Sequence, residues 1–312
     1  MLILGSANVT AGTPKGNVDI RKGVADLRNQ SFDKTVSLKG EWAFAWKKLL
    51  VPNQFNSFQH FAILPHLWDN ALQDDVKLSA LGYASYGLTI LLNPQHRNLA
   101  IMLPDVYSSY RFFVNGQLLA ANGVPDTSKA NYKPHWGPNT VVMPMADTLQ
   151  LILQIANFSH SKGGISQNLI IGDSKYLLRD HERTVASDFL LSGCLFMGGL
   201  FFFGLYLFGT KDKATFFFSL FCMIYSYRMV GSGIYALHEM LPNINWEIST
   251  RLEYISLFGS IWLFLQYVRN LYPDDFHKLF MRLFSYSCAF LTILPLFTSA
   301  TIFTKTINPF LM

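Results

Sequence analysis

Two uncharged stretches of 22 residues each, 189–210 and 283–304, constrain this chain more than any other feature. As a helix, 22 residues measure about 33 Å, enough to cross the roughly 30 Å hydrocarbon layer of a bilayer. Residues 214–237 are apolar apart from Arg228, and residues 252–268 are apolar apart from Glu253. The pattern predicts four spanning helices near 189–210, 214–237, 252–268 and 283–304. Phenylalanine usage divides at the same place: 8 of the 27 lie in residues 1–187 and 19 in the 125 residues from Asp188 onward. One half of the chain is therefore built for a different solvent from the other.

Basic residues in short loops indicate orientation, because Lys and Arg stay on the cytoplasmic side. With the N-terminus outside, the inner loops hold Lys211, Lys213, Arg269, Lys278 and Arg282, and the outer loops hold Arg251 and Lys305. Five against two favours a periplasmic or otherwise extracytoplasmic N-terminal domain on a multi-pass inner-membrane protein. Lys175, Arg179 and Arg183 oppose this, although they end a long domain where charge counts for less. Residues 1–4 are apolar but too few for a signal peptide, so residues 1–29 read as an N-terminal segment for which either the true start lies upstream or a signal remnant is left. The apolar run that begins at 308–312 reads as the start of a fifth helix, with the fragment cut there.

The net charge of +5 is spread thinly: 17 Lys or Arg against 13 acids in residues 1–187, and 8 against 7 in the rest. No basic run exceeds two residues, which excludes a nucleic-acid footprint. Cys194, Cys222 and Cys288 all fall in the apolar half and read as small buried residues.

Residues 30–175 carry short β-rich runs at 36–46, 58–64, 85–92, 99–103, 110–114, 117–121, 141–143, 149–155 and 165–171. Leu149, Leu151, Leu153 and Ile155 alternate with Gln150, Ile152 and Gln154, the period of a strand with one core face. Asn115-Gly116 between two runs predicts a tight hairpin, because a type I′ turn needs positive φ at both central residues. Eight or nine strands without helical interruption predict a β-sandwich or jelly roll over 30–178. Residues 179–187 then read as a juxtamembrane linker and 188–312 as the transmembrane region.

Gly40-Glu41-Trp42 with Phe44, Pro65 with Trp68, Gly82-Tyr83, Val114-Asn115-Gly116 with Gly123, and Asn157 with Gly163-Gly164-Ile165 follow one another in that order. This ordered set resembles galactose-binding-like jelly rolls, including the sugar-binding domain of family 2 glycoside hydrolases. A jelly roll leading directly into apolar helices is similar to the bacterial seven-transmembrane receptors with diverse intracellular signalling modules. The resemblance implies an extracytoplasmic sensor, a seven-helix membrane unit and a cytoplasmic output domain such as a kinase, cyclase or phosphatase. Helices five to seven and the output domain are not in this sequence. It does not carry over hydrolysis, whose carboxylates stand on a separate barrel in those enzymes. The adjacent acids Asp74-Asp75 sit in a polar loop and read as solvated charges. No enzyme activity is expected of the residues present.

His60, His66, His96, His135, His160, His181, His238 and His277 show no metal-ligand spacing, so no metal or cofactor is expected. Gly231-Ser232-Gly233 reads as a bend near the end of the second helix. A ligand site would use exposed aromatic faces with polar neighbours. Tyr132, His135 and Trp136 in the loop 131–139 are the leading candidates, with Trp68, Tyr83 and Tyr107 behind them. Trp42, Trp46 and Trp68 read equally well as core, and Tyr107 as packed under a loop. Arg228 is the one basic residue well inside a span. It either snorkels outward or forms an intramembrane charge pair with Glu253 or Glu239. The partners expected are the lipid bilayer, a carbohydrate or other small-molecule ligand and a second copy of the chain, with no nucleic acid. A membrane-anchored carbohydrate-binding or adaptor module without signalling is the alternative, and a transporter the third reading.

Overall fold

The computed structural model describes residues 16–73, 75–93, 95, 98–209, 211–275 and 277–306. Residues 1–4 and 308–312, Asp74 and His96 lie outside the described residues. The chain divides into two compact units, Thr10–Glu182 and one built on Arg183–Met312.

The first unit consists mostly of β-sheet. Its longest strands, Gly82–Leu91 and Thr148–Asn157, pair antiparallel over ten residues from Gly82 opposite Asn157 to Leu91 opposite Thr148. Ser109–Val114 and Gln117–Asn122 continue the sheet beyond Thr148–Asn157, joined by the expected hairpin. Asn115 and Gly116 have φ of 46° and 87°, the positive values that this turn demands. On the far side, Gly82–Leu91 pairs with Gly40–Trp46, which pairs in turn with His60–Leu64.

A second sheet has Leu99–Leu103 between Asn139–Val142 and Ile170–Asp173. One hydrophobic cluster draws Ile101, Leu103 and Ile171 from this sheet and Leu88, Phe112, Leu151 and Leu153 from the first. Leu149, Leu151, Leu153 and Ile155 are all fully buried, as their alternation predicts. The opposite face of that strand is not open to water throughout: Ile152 and Gln154 are buried too. Gln154 Nε2 donates to the Leu50 carbonyl at 2.9 Å, and Phe58 packs against Gly87, so the segment after Trp46 covers this part of the sheet.

A clear jelly roll is not what these sheets form. One has five strands and the other eight with a branch, and each contains a parallel pair, Gly16–Asn17 with Val36–Ser37 and Val24–Asp26 with Gly82–Leu91. The short strands responsible hold few residues and carry no alternation of their own.

The second unit is helical. Helix α1 spans Ser174–Phe208, α2 Lys213–Gly231, α3 Ala236–Met240, α4 Trp246–Leu271, α5 Lys278–Phe297 and α6 Ala300–Phe303. Residues 179–187, read as a linker, lie within α1. The second helix stops at Gly231 rather than bending there: Ser232 is extended and Gly233 has φ 76°.

Among the described residues, three helices are long and apolar enough to cross a membrane: α1, α2 and α5. That corrects the expected four. Helix α4 has the length, at 26 residues, but not the composition. It lies between α2 and α5. Phe221 meets Phe264 at 5.3 Å and Phe218 meets Tyr267 at 5.0 Å on one side. On the other, Trp262 and Gln266 both donate to Ser285 Oγ, at 3.1 and 2.6 Å. Ser256, Ser260 and Gln266 are buried: the two hydroxyls donate to carbonyls of α4 itself, and Gln266 joins α4 to α5 as side-chain hydrogen bonds do between apolar helices. The apolar surface of α1 and α5 faces outward instead, at Phe201, Phe208, Leu283, Phe290 and Phe297. A helix bundle in water would bury these side chains, whereas a bilayer would cover them.

Candidate functional site

The aromatic residues singled out by the sequence fall into two places. Tyr107 and Trp136 cluster with His160, and Tyr83 and Tyr132 with Phe158. Tyr107 stacks on the His160 ring at 4.5 Å, Trp136 meets both edge-on at 5.6 and 5.7 Å, and Tyr132 and Tyr83 pack on Phe158. Tyr132 bonds through its hydroxyl to Ser108 Oγ. His135 is half-buried, and its main-chain N–H donates to the Ser108 carbonyl at 2.9 Å. With Tyr132 and Trp136 only 6% and 4% exposed, these rings are spent on one another. The expectation of an open stacking platform in the loop 131–139 is corrected here: the flat faces hold the loop down.

Asn157 organises this region. Its Nδ2 lies 2.8 Å from each of the carbonyls of Ala80, His160 and Lys162, and its Oδ1 accepts from Ser108 Oγ and from the His160 N–H. The His160 ring accepts the Lys162 N–H at Nδ1, 3.0 Å away, and burial pushes its pKa down to about 4. The imidazole is therefore neutral at pH 7.

Trp68 is fully buried as well, and is likewise no open platform. Its Nε1 donates to the Tyr86 hydroxyl at 2.8 Å, and His66 Nδ1 stands 2.9 Å from the same oxygen. Gly163 and Gly164 make room for it: a Cβ on Gly163 would lie 2.5 Å from the indole, and Gly164 has φ 95° and lies against the His66 carbonyl. Their place in the motif thus has a packing reason.

Above this floor lies a cavity of about 400 Å³ lined by Phe44, His60, Phe61, His66, Leu72 and Gln73, among others. Phe44 meets the His66 ring edge-on at 5.1 Å and tilts against Tyr86 at 5.0 Å. Phe61 and Leu72 are exposed. Burial pushes His66 down to about 4, so it too is a neutral imidazole, able to donate or accept one hydrogen bond. Gln73 Oε1 is buried and has no hydrogen-bond partner. A buried amide oxygen without a donor is costly. The chemistry on offer is an aromatic wall, two imidazoles and an orphan acceptor, which suits a neutral polyhydroxylated ligand. Sequence reasoning missed Phe61 and Gln73. Neither belongs to a motif, and they meet only because the strand His60–Leu64 and the hairpin of Leu72–Gln73 with Val76–Lys77 share this corner.

In the helical unit, the hydrogen bond between Arg228 and Glu253 runs to the main chain. Arg228 Nη1 donates to the main-chain carbonyl of Glu253 at 3.4 Å, and Glu253 Oε2 accepts from the Tyr235 hydroxyl at 3.1 Å. Tyr235 is placed by its left-handed backbone at the N-terminus of α3, φ 51°.

No protein-family model matches the chain, and no curated protein sequence does. Among solved structures it is similar to β-glucuronidases. That of an uncultured Clostridium species is 12% identical over 44% of this chain and 28% of its own, with a TM-score of 0.34. That of Faecalibacterium prausnitzii is 14% identical over 44% and 31%, TM-score 0.34. That of Ruminococcus gnavus is 12% identical over 44% and 28%, TM-score 0.34. The chain spans less than a third of the length of each of these enzymes.

Proposed function

We propose that this chain is the sensing and membrane portion of a bacterial receptor. Its β-unit takes a carbohydrate-like small ligand outside the inner membrane, and its helices carry the response towards a cytoplasmic output domain. The observation that carries the reading is the cavity lined by Phe44, His66 and Gln73. Two further features support it. Three helices have the length and composition of membrane spans. The last strand, Ile170–Asp173, is followed by α1 at the very next residue, Ser174, so no loop separates the sheet from a helix that runs on into the apolar sequence.

The test is titration of the detergent-solubilised chain with a panel of mono- and disaccharides, followed by tryptophan fluorescence. A saturable response is expected, weakened about tenfold in Gln73→Ala through the lost hydrogen bond, which is worth about 1 kcal/mol or more. Spin labels on α1 and α2 should change separation on saturation, because a receptor needs a ligand that prefers one of two states. Binding without that change would leave a membrane-anchored carbohydrate-binding module. No saturable response to any saccharide would overturn the reading.

A further inference from the structure

Between the end of α4 and the start of α5 lies a cavity of about 310 Å³ lined by Arg269, Tyr272, Asp274, Lys278 and Arg282, with the buried Met281 beside them. Arg269 belongs to the last turn of α4, while Lys278 and Arg282 are four apart on the first turns of α5 and so share one face. Three cations therefore meet around one carboxylate. Among the described residues, none of the three makes an ion pair or a side-chain hydrogen bond, although Asp274 and Asp275 lie in the same short connection. Like charges lining one cavity repel one another, and Asp274 alone answers three of them. The free N–H groups at the start of α5 add a positive field in the same place.

The location narrows the ligand. Lys278 is the first residue of a helix long and apolar enough to cross a membrane, so the cavity opens at one mouth of a span, at the depth of lipid headgroups. Tyr272, half exposed beside it, is the residue type that sits at that boundary. Basic pockets between membrane helices are where anionic headgroups dock. We propose that Arg269, Lys278 and Arg282 form a binding site for a phosphate-bearing anion, either the headgroup of an acidic phospholipid or a free phosphate. Such a ligand would tie α4 to α5 by bridging their ends.

The experiment measures the thermal unfolding midpoint of the full chain in neutral detergent against added phosphatidylglycerol, phosphatidylcholine or inorganic phosphate. A saturable rise with phosphatidylglycerol, absent with phosphatidylcholine, identifies the lipid. A saturable rise with inorganic phosphate alone identifies the free anion. In either case each of Arg269→Gln, Lys278→Gln and Arg282→Gln should weaken the apparent affinity about fivefold, and the triple variant roughly a hundredfold. Lys305→Gln, outside the cavity, should leave it unchanged. If the triple variant does not fold, the three single variants decide the matter. No saturable rise with either phosphate source, an undiminished rise in the variants, or an equal loss in Lys305→Gln would overturn the proposal.

Discussion

Arg228 hydrogen-bonds the peptide carbonyl of Glu253, and the Glu253 carboxylate accepts from Tyr235. Exchanging the two charges should therefore fail to restore what either change removes. Arg228→Glu loses the donor to the carbonyl, and Glu253→Arg deprives the Tyr235 hydroxyl of its acceptor. Each single variant should lose about 1–3 kcal/mol. The double variant should be no more stable than the worse single one in detergent melting. Recovery of the wild-type midpoint would show that attraction between the two charges outweighs these hydrogen bonds.

Helices α1 and α2 approach closely at Gly199. A Cβ there would lie 2.9 Å from Met223 Cγ and 3.0 Å from the Ser219 carbonyl oxygen, whereas at Gly193 and Gly204 it would meet nothing within 4 Å. Gly199→Leu should cost about 1–3 kcal/mol by overpacking. Gly204→Ala should be neutral or gain up to about 1 kcal/mol from helix propensity. Melting of the two variants side by side checks this, since a general intolerance of α1 to side chains would lower both.

Asn157 lies 2.8 Å from three loop carbonyls, so Asn157→Ala leaves those of Ala80, His160 and Lys162 short of a donor. The loss should be about 2 kcal/mol or more. It should also release Trp136, seen as a red shift and increased quenching of tryptophan emission.

Acid should weaken the β-unit through its buried histidines. His66 and His160 are held near 4 in the fold, below the ordinary value of about 6.5 that they regain on unfolding. Their neutral forms are stabilised by folding, so this contribution is complete above about pH 6.5 and is lost as pH falls towards 4. For the fully enclosed His160 the loss amounts to at most ~3 kcal/mol. His160→Gln should flatten the stability profile between pH 6.5 and 4 relative to wild type, as read from denaturant midpoints; an unchanged slope would assign the acid sensitivity elsewhere.

Much of the architecture was legible because burial imposes a period. The run 149–155 announced its strand and its core face, Asn115-Gly116 announced its turn, and the uncharged stretches announced α1 and α5. The count of spans was not legible in the same way. Residues 252–268 look apolar in a window, but Ser256, Ser260 and Gln266 mark a face that packs against other helices, and only the bundle reveals which face that is.

The candidate site was less legible still. Aromatic content pointed to Tyr132, Trp136 and Trp68, yet a sequence does not distinguish a ring offered to a ligand from one packed on its neighbours. Composition and periodicity alone determined that this chain has a β-rich half and a membrane-type half, because each half must match its solvent at nearly every residue. Only the tertiary structure decided that Gln73 and His66 would line one cavity, that Arg228 would meet a carbonyl, and that Arg269 would join Lys278 and Arg282. Those meetings depend on which segments lie side by side in space, and no local pattern encodes them.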